Sequence, residues 1–101
     1  MSAINIDRNN FQNEVVASDK PVLLDFWAPW CAPCRMVTPA IEAIAVERPD
    51  IKVGKINVDE QPELARQFGV MSIPTLVVME KGRIVNQATG ARPKSAILAM
   101  L

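Results

Sequence analysis

The chain has 101 residues, which is close to the commonest size of a single domain, and half of its residues are hydrophobic. Eleven Lys and Arg residues balance eleven Asp and Glu residues, so the formal net charge is zero. This balance argues against a nucleic-acid-binding or polybasic membrane-binding protein, because both depend on a surplus of positive charge. The first residues, MSAINIDRNNF, lack the basic and apolar segments of a signal peptide, and we expect a cytoplasmic, monomeric protein.

Strands and helices alternate along the chain. The hydrophobic patterns predict strands over residues 3–6, 22–27, 51–58, 75–79 and 84–88. They predict helices over residues 8–17, 31–48 and 60–68, and a final helix that begins near Pro93. The order βαβαβαββα predicts one α/β domain over residues 1–101, in which a central mixed five-stranded sheet is flanked by four helices in three layers.

The second predicted helix follows the central strand and is the longest. Its apolar positions recur at helical spacing and predict an inner face made of Met36, Val37, Ala40, Ile41, Ile44 and Ala45. Pro39 lies inside this helix, so we expect a kink there.

The only two cysteines of the sequence, Cys31 and Cys34, lie at the predicted start of this helix. The sequence has no histidine, which excludes Ser-His, Cys-His and zinc-His sites, and two cysteines alone make a zinc site improbable. A structural disulfide across four residues would contribute roughly 2 kcal/mol, against ~4.7 kcal/mol for a 100-residue loop. In a reducing compartment, a bridge that constrains so little is better explained as one that opens and closes.

The helix start also makes Cys31 a plausible nucleophile. Unpaired N–H groups and the helix dipole favour an anion at this end, and the thiolate is the attacking form of cysteine. An ordinary thiol, with a pKa of about 8.5, is only ~3% ionised at pH 7, so a lowered pKa would increase the reactivity of Cys31. Cys34 lies one turn deeper, where it can attack a mixed disulfide, and Pro33 holds the first turn rigid.

Five motifs in this order resemble the thioredoxin family, over residues 11–101. They read Asp25-Phe26-Trp27-Ala28-x-Trp30-Cys31-x-Pro33-Cys34, then Lys55-x-Asn57-x-Asp59, Ile73-Pro74-Thr75, Gly82 and Gly90. The resemblance implies the thioredoxin fold and an enzyme that reduces protein disulfides through a reversible Cys31–Cys34 bridge. It also implies a thioredoxin reductase as electron donor, client proteins such as reductases and peroxidases, and no bound cofactor or metal.

A carboxylate and an amine are expected behind the cysteine pair. Asp25 lies in a central strand covered on both faces, so burial should raise the pKa of its carboxyl group toward neutrality. The resemblance implies that Asp25 transfers a proton for Cys34, and that the amine of Lys55 approaches Asp25 and tunes it. It also gives Pro33 a part in setting the redox potential.

The resemblance further implies a binding surface for an extended client segment. The family has a cis proline at the position of Pro74. The backbone of Ile73 would then pair with the client as an added strand. Together with Trp30, Gly90 and Ala91, Ile73 would form an apolar rim around an exposed sulfur atom, and an uncharged rim suits many partners.

One position departs from the family pattern, and two alternatives stay open. The residue after the first cysteine is most often glycine, but here it is Ala32, which stiffens the turn and adds a methyl group beside the attacking sulfur. The first alternative, a disulfide oxidase or isomerase of the same fold, stays open because the residues between the cysteines do much to set the redox potential. The second, a redox-independent binding scaffold, belongs to a different class of protein and does not depend on Ala32.

Overall fold

A computed structural model describes residues 3–101. The strands are β1 (Ile4–Asn5), β2 (Val22–Trp27), β3 (Lys52–Asn57), β4 (Thr75–Glu80) and β5 (Arg83–Thr89). The helices are α1 (Gln12–Val16), α2 (Ala32–Glu47), α3 (Pro62–Gln67) and α4 (Lys94–Leu98). Their order is the predicted one.

The five strands form one mixed sheet in the order β1-β3-β2-β4-β5. Strand β3 runs parallel to both β1 and β2, whereas β4 runs antiparallel to β2 and β5. The β4–β5 hairpin turns through Lys81 and Gly82, which both have positive φ angles, as a tight turn between twisted strands requires. Strands β1 and β5 form the two edges of the sheet, and the mixed five-stranded sheet is the predicted one.

Alternation along β2 assigns each helix to one face of the sheet. Leu23 packs with Ile41 of α2 and Ile97 of α4, whereas Leu24 and Phe26 belong to the opposite cluster, which includes residues of α1 and α3. Successive side chains of a strand point to opposite faces, so Asp25 shares the face of Leu23, the one that α2 covers. The sheet therefore carries helices on both faces, as predicted.

Two predictions about the helices are wrong in detail. The first helix begins later than residue 8, because the Oδ1 atom of Asp7 accepts hydrogen bonds from the N–H groups of Asn9 (2.8 Å) and Asn10 (3.0 Å). Such side-chain bonds compete with the helical pattern, and only a five-residue π-helical segment, Gln12–Val16, follows. Met36 is 76% exposed, because the buried face of α2 follows Cys34, Val37, Ile41 and Ile44.

Helix α2 runs through Pro39 for 16 residues. None of the helices within residues 3–101 combines the length and apolar character needed to cross a membrane.

Candidate active site

The site begins where β2 ends and the chain turns into α2. The N–H group of Cys31 donates to the carbonyl oxygen of Ala28 at 3.2 Å, which closes the turn before the helix. Cys31 itself has an extended backbone (φ −91°, ψ 107°) and is the N-cap residue. Its Sγ atom accepts a hydrogen bond from the backbone N–H of Cys34 at 3.2 Å, the role that a serine or aspartate oxygen has in other helices.

Cys31 and Cys34 form a disulfide, with their Cα atoms 5.3 Å apart. Ala32 and Pro33 lie between them in the first turn of α2, where the missing N–H of proline breaks no helical bond. When the bridge is reduced, the N–H of Cys34 and the helix dipole are suited to stabilise negative charge on the Cys31 sulfur. The local fold therefore favours the thiolate form of Cys31, which is the reactive form of a cysteine.

The sulfur atoms are more covered than the sequence indicates. Cys31 is only 4% exposed and Cys34 is buried, so the expectation of an exposed sulfur is wrong. The reason is the loop before β4, which places the carbonyl oxygen of Ile73 at 3.8 Å from the Cys31 Sγ atom. Any group that contacts the Cys31 sulfur must therefore approach it beside this loop.

This loop contains a cis peptide bond and is held in place by two hydrogen bonds. The Ile73–Pro74 peptide bond is cis, as the resemblance implied. The carbonyl oxygen of Pro74 accepts from the N–H of Gly90 at 2.8 Å, and the hydroxyl of Thr75 donates to the carbonyl of Ser72 at 2.6 Å. Ile73 lies between these anchors and in contact with the cysteine cluster.

The remaining predicted rim residues lie beside the loop. Gly90 has a φ of +103°, a conformation that favours glycine, and Ala91 next to it is exposed. Trp30 is 67% exposed, and its Nε1 donates to Oδ2 of Asp59 at 2.9 Å. Asp59 belongs to the Lys55-x-Asn57-x-Asp59 motif, and its hydrogen bond to Trp30 was not predicted from the sequence.

An apolar groove of about 640 Å³ opens next to Cys31. It lies between the start of α2 and the segments that precede β4. The residues that line it are Trp30, Cys31, Ala32, Pro33, Val58, Ala65, Val70, Met71, Ser72 and Ile73.

Asp25 is fully buried in β2, on the face of the sheet that is covered by α2, the helix that carries the disulfide. Neither of its carboxyl oxygens has a hydrogen-bond partner within residues 3–101. Burial raises the pKa of Asp25 from 3.8 to about 6; the positive charge of Lys55 lowers this pKa, and the charge of Glu42 raises it. The carboxyl group can therefore gain and lose a proton close to neutral pH.

Lys55 is the register partner of Asp25 in the parallel pair of β2 and β3. Its Nζ atom lies 4.5 Å from the ring centroid of Trp27, a cation–π arrangement that the sequence analysis did not predict. The lysine charge is thus held beside the face of the sheet that carries Asp25. Within residues 3–101 no three His, Cys, Asp or Glu side chains group as a metal site would require.

A sheet of this topology with a disulfide at the N-terminus of its main helix defines a thiol–disulfide oxidoreductase. The comparisons with known proteins agree. A family model described as Thioredoxin matches residues 2–101. The thioredoxin of Porphyra purpurea is 48% identical over 102 residues, which cover 100% of this chain and 95% of the relative.

Two further relatives extend the comparison. The thioredoxin of Alicyclobacillus acidocaldarius subsp. acidocaldarius is 52% identical over 93 residues, covering 91% of this chain and 88% of the relative. A solved mutant thioredoxin from Halobacterium salinarum NRC-1 is 34% identical, with a TM-score of 0.88 and coverage of 98% of this chain and 88% of that one. The chain belongs to the thioredoxin family, and its Cys31–Cys34 disulfide acts in the reduction of protein disulfides.

Proposed function

We propose that Cys31 is the nucleophile and Cys34 the resolving cysteine of this oxidoreductase. In the reduced protein, the Cys31 thiolate attacks one sulfur of a client disulfide, and the other client sulfur leaves as a thiolate that takes up a proton. The Cys34 sulfur, once deprotonated, then attacks the Cys31 sulfur of the mixed disulfide. This releases the second client thiol and leaves the Cys31–Cys34 bridge, so that two electrons pass to the client.

One observation supports this assignment above the others. The N–H of Cys34 points at the Cys31 Sγ atom from 3.2 Å at the start of a 16-residue helix. A hydrogen bond and a helix dipole that both favour a negative sulfur support Cys31, rather than Cys34, as the attacking thiol.

Asp25 is proposed to accept the proton of Cys34 during the second step. It shares the α2 side of the sheet with Cys34, and a pKa of about 6 leaves it mostly ionised at pH 7. Lys55 tunes this carboxyl through its positive charge. Pro33 contributes by fixing the first turn and thereby the redox potential.

Client binding is assigned to the surface around the disulfide. Ile73 and Pro74 would offer backbone groups to an extended client segment, in the manner of an added strand. Trp30, Gly90 and Ala91 would form the rest of the rim.

The wider role follows the general properties of thioredoxins. A thioredoxin reductase would restore the dithiol, and clients would include disulfide-containing reductases and peroxidases. The cysteine pair itself carries the electrons, so no bound cofactor or metal is required. We propose a cytoplasmic, monomeric, single-domain protein over residues 1–101 that binds neither nucleic acid nor membrane.

The test is reduction of insulin disulfides driven by dithiothreitol. The wild type should accelerate precipitation of the insulin B chain, whereas Cys31→Ser should not. Cys34→Ser should retain the first step and accumulate a mixed disulfide, which mass spectrometry detects. Equal rates for wild type and Cys31→Ser would contradict the proposal.

The oxidase or isomerase alternative is separated by the reduction potential. The protein is equilibrated with a glutathione redox buffer, and its oxidised fraction is measured. A potential above about −180 mV, in the range of protein disulfide isomerase, would favour the alternative over the reductase.

A further inference from the structure

Two cavities border α2, and they differ in volume and in the charge of their lining residues. One is the groove of about 640 Å³, and none of its lining residues among those described is charged. A separate cavity of about 330 Å³, which shares no lining residue with the groove, is lined by Met36, Ala91 and Arg92 among others. An apolar side chain of a client would therefore be accommodated better in the groove.

Met71 is the most exposed large apolar residue at the groove. Its residue surface is 97% exposed, yet the backbone on either side of it is anchored. The N–H of Val70 donates to the carbonyl of Ala65 at 2.9 Å, and the carbonyl of Ser72 accepts from the hydroxyl of Thr75 at 2.6 Å. A fixed backbone that presents an unprotected thioether to solvent suggests contact with a partner.

Trp30 contributes a second large apolar surface from a different loop. Its indole is tied to Asp59, so the ring is held at the groove without burial. Methionine adapts to differently shaped partners, whereas the indole ring is rigid. A charged client side chain placed between them would lose water without gaining a partner.

We propose that Met71, together with Trp30, selects clients in which the reactive cysteine is flanked by a large apolar residue such as leucine or phenylalanine. This inference rests on the proposed function. The client sulfur must meet Cys31 beside the Ile73 backbone, which brings a neighbouring client side chain to the groove. That side chain enters the groove and contacts Met71 and Trp30.

The experiment uses two disulfide peptides that differ only beside one cysteine. In one peptide, leucine stands on both sides of that cysteine; in the other, serine does. The second-order rate constant for oxidation of the reduced protein is measured by stopped-flow tryptophan fluorescence. We expect the wild type to react roughly tenfold faster with the leucine peptide, the discrimination that an apolar pocket achieves for a few methylene groups.

Substitutions then assign the preference to Met71. Met71→Ser should reduce the preference to about threefold or less, because a serine covers little apolar surface. Met71→Leu should retain it. Met36→Ser is the matched control, since it removes an exposed methionine that does not line the groove and should leave the preference intact.

The outcomes separate the inference from the function on which it rests. If the wild type oxidises with neither peptide, the proposed function fails. If it reacts with both at equal rates, or if Met71→Ser keeps the full preference, the function stands and the inference is overturned. A dimer in sedimentation that Met71→Ser dissociates would identify a second copy as the occupant and would also overturn it.

Discussion

Two regions of the molecule differ in character: the interior that α2 covers, which we call the region behind the disulfide, and the exposed surface around the groove, which we call the region in front of it. Behind it, Asp25 is fully buried, and Lys55 is held over the ring of Trp27. In front of it, Trp30 and Met71 are largely exposed and border an uncharged groove. The first region is suited to move a proton and cannot touch a client, whereas the second can touch a client through a groove that no charged side chain lines among the described residues.

This difference separates the two kinds of control over the reaction. Changes behind the disulfide should alter rates and pH dependence equally for every client. Changes in front should alter binding, and differently for each client. The following substitutions test that division.

The largest expected effect is that of Asp25→Asn on turnover. Without a carboxylate to accept the Cys34 proton, turnover at pH 7 should fall roughly 10²-fold, the lower end of what general acid–base catalysis contributes. Insulin reduction and the two peptides should be slowed alike. Asp50→Asn, which alters an exposed aspartate paired with Arg48, should have no such effect. A loss of turnover with only one of these clients would contradict the separation between residues that control the rate and residues that control binding.

The same substitution should change how stability depends on pH. Because the folded pKa of about 6 lies above 3.8, the folded state retains the Asp25 proton that the unfolded chain releases. The free energy of unfolding of the wild type should therefore decline between pH 4 and pH 7 by about 2 kcal/mol more than that of Asp25→Asn. Denaturant unfolding at several pH values measures this difference. Parallel curves for the two proteins would show that the Asp25 carboxyl is not perturbed.

A smaller effect is expected in front of the disulfide, from Asp59→Ala. Loss of the hydrogen bond to the Trp30 indole frees the ring and should raise the KM for the leucine-flanked peptide about fivefold, with little change in kcat. Glu60→Ala, at the next and equally exposed position, serves as control. A fall in kcat with an unchanged KM would place Asp59 with the chemical rather than the binding residues.

The smallest effect is expected from Lys55→Met, which removes the positive charge that lowers the pKa of Asp25. The titration midpoint of the Asp25 carboxyl should rise above about 6, as measured by carbon-13 NMR of labelled aspartate. Lys52→Met, on the same strand but paired with Glu14 at 2.9 Å, should leave the midpoint unchanged. A lower midpoint in Lys55→Met would reverse the electrostatic role given to this lysine.

The region behind the disulfide could largely be predicted from the sequence. An aspartate within an apolar central strand has no wet face available, and the structure confirms that Asp25 is buried. The contact of Lys55 with Trp27 could not be predicted in this way, because it depends on the strand register.

Less of the region in front of the disulfide could be predicted from the sequence. Its groove is formed by segments far apart in the sequence, so neither the low exposure of Cys31 nor the position of Met71 follows from local patterns. Met36 illustrates the same limit, since helical spacing alone included it in the inner face of α2. The cis bond before Pro74 was expected only because of the family resemblance.

Alkylation of the reduced protein by iodoacetamide tests the central claim most directly. With Cys34→Ser, the pH dependence of the reaction reports the Cys31 thiol alone. We expect the midpoint below the value of about 8.5 for an ordinary thiol, because the N–H of residue 34 and the helix dipole stabilise the thiolate. A midpoint at or above that value would contradict the account.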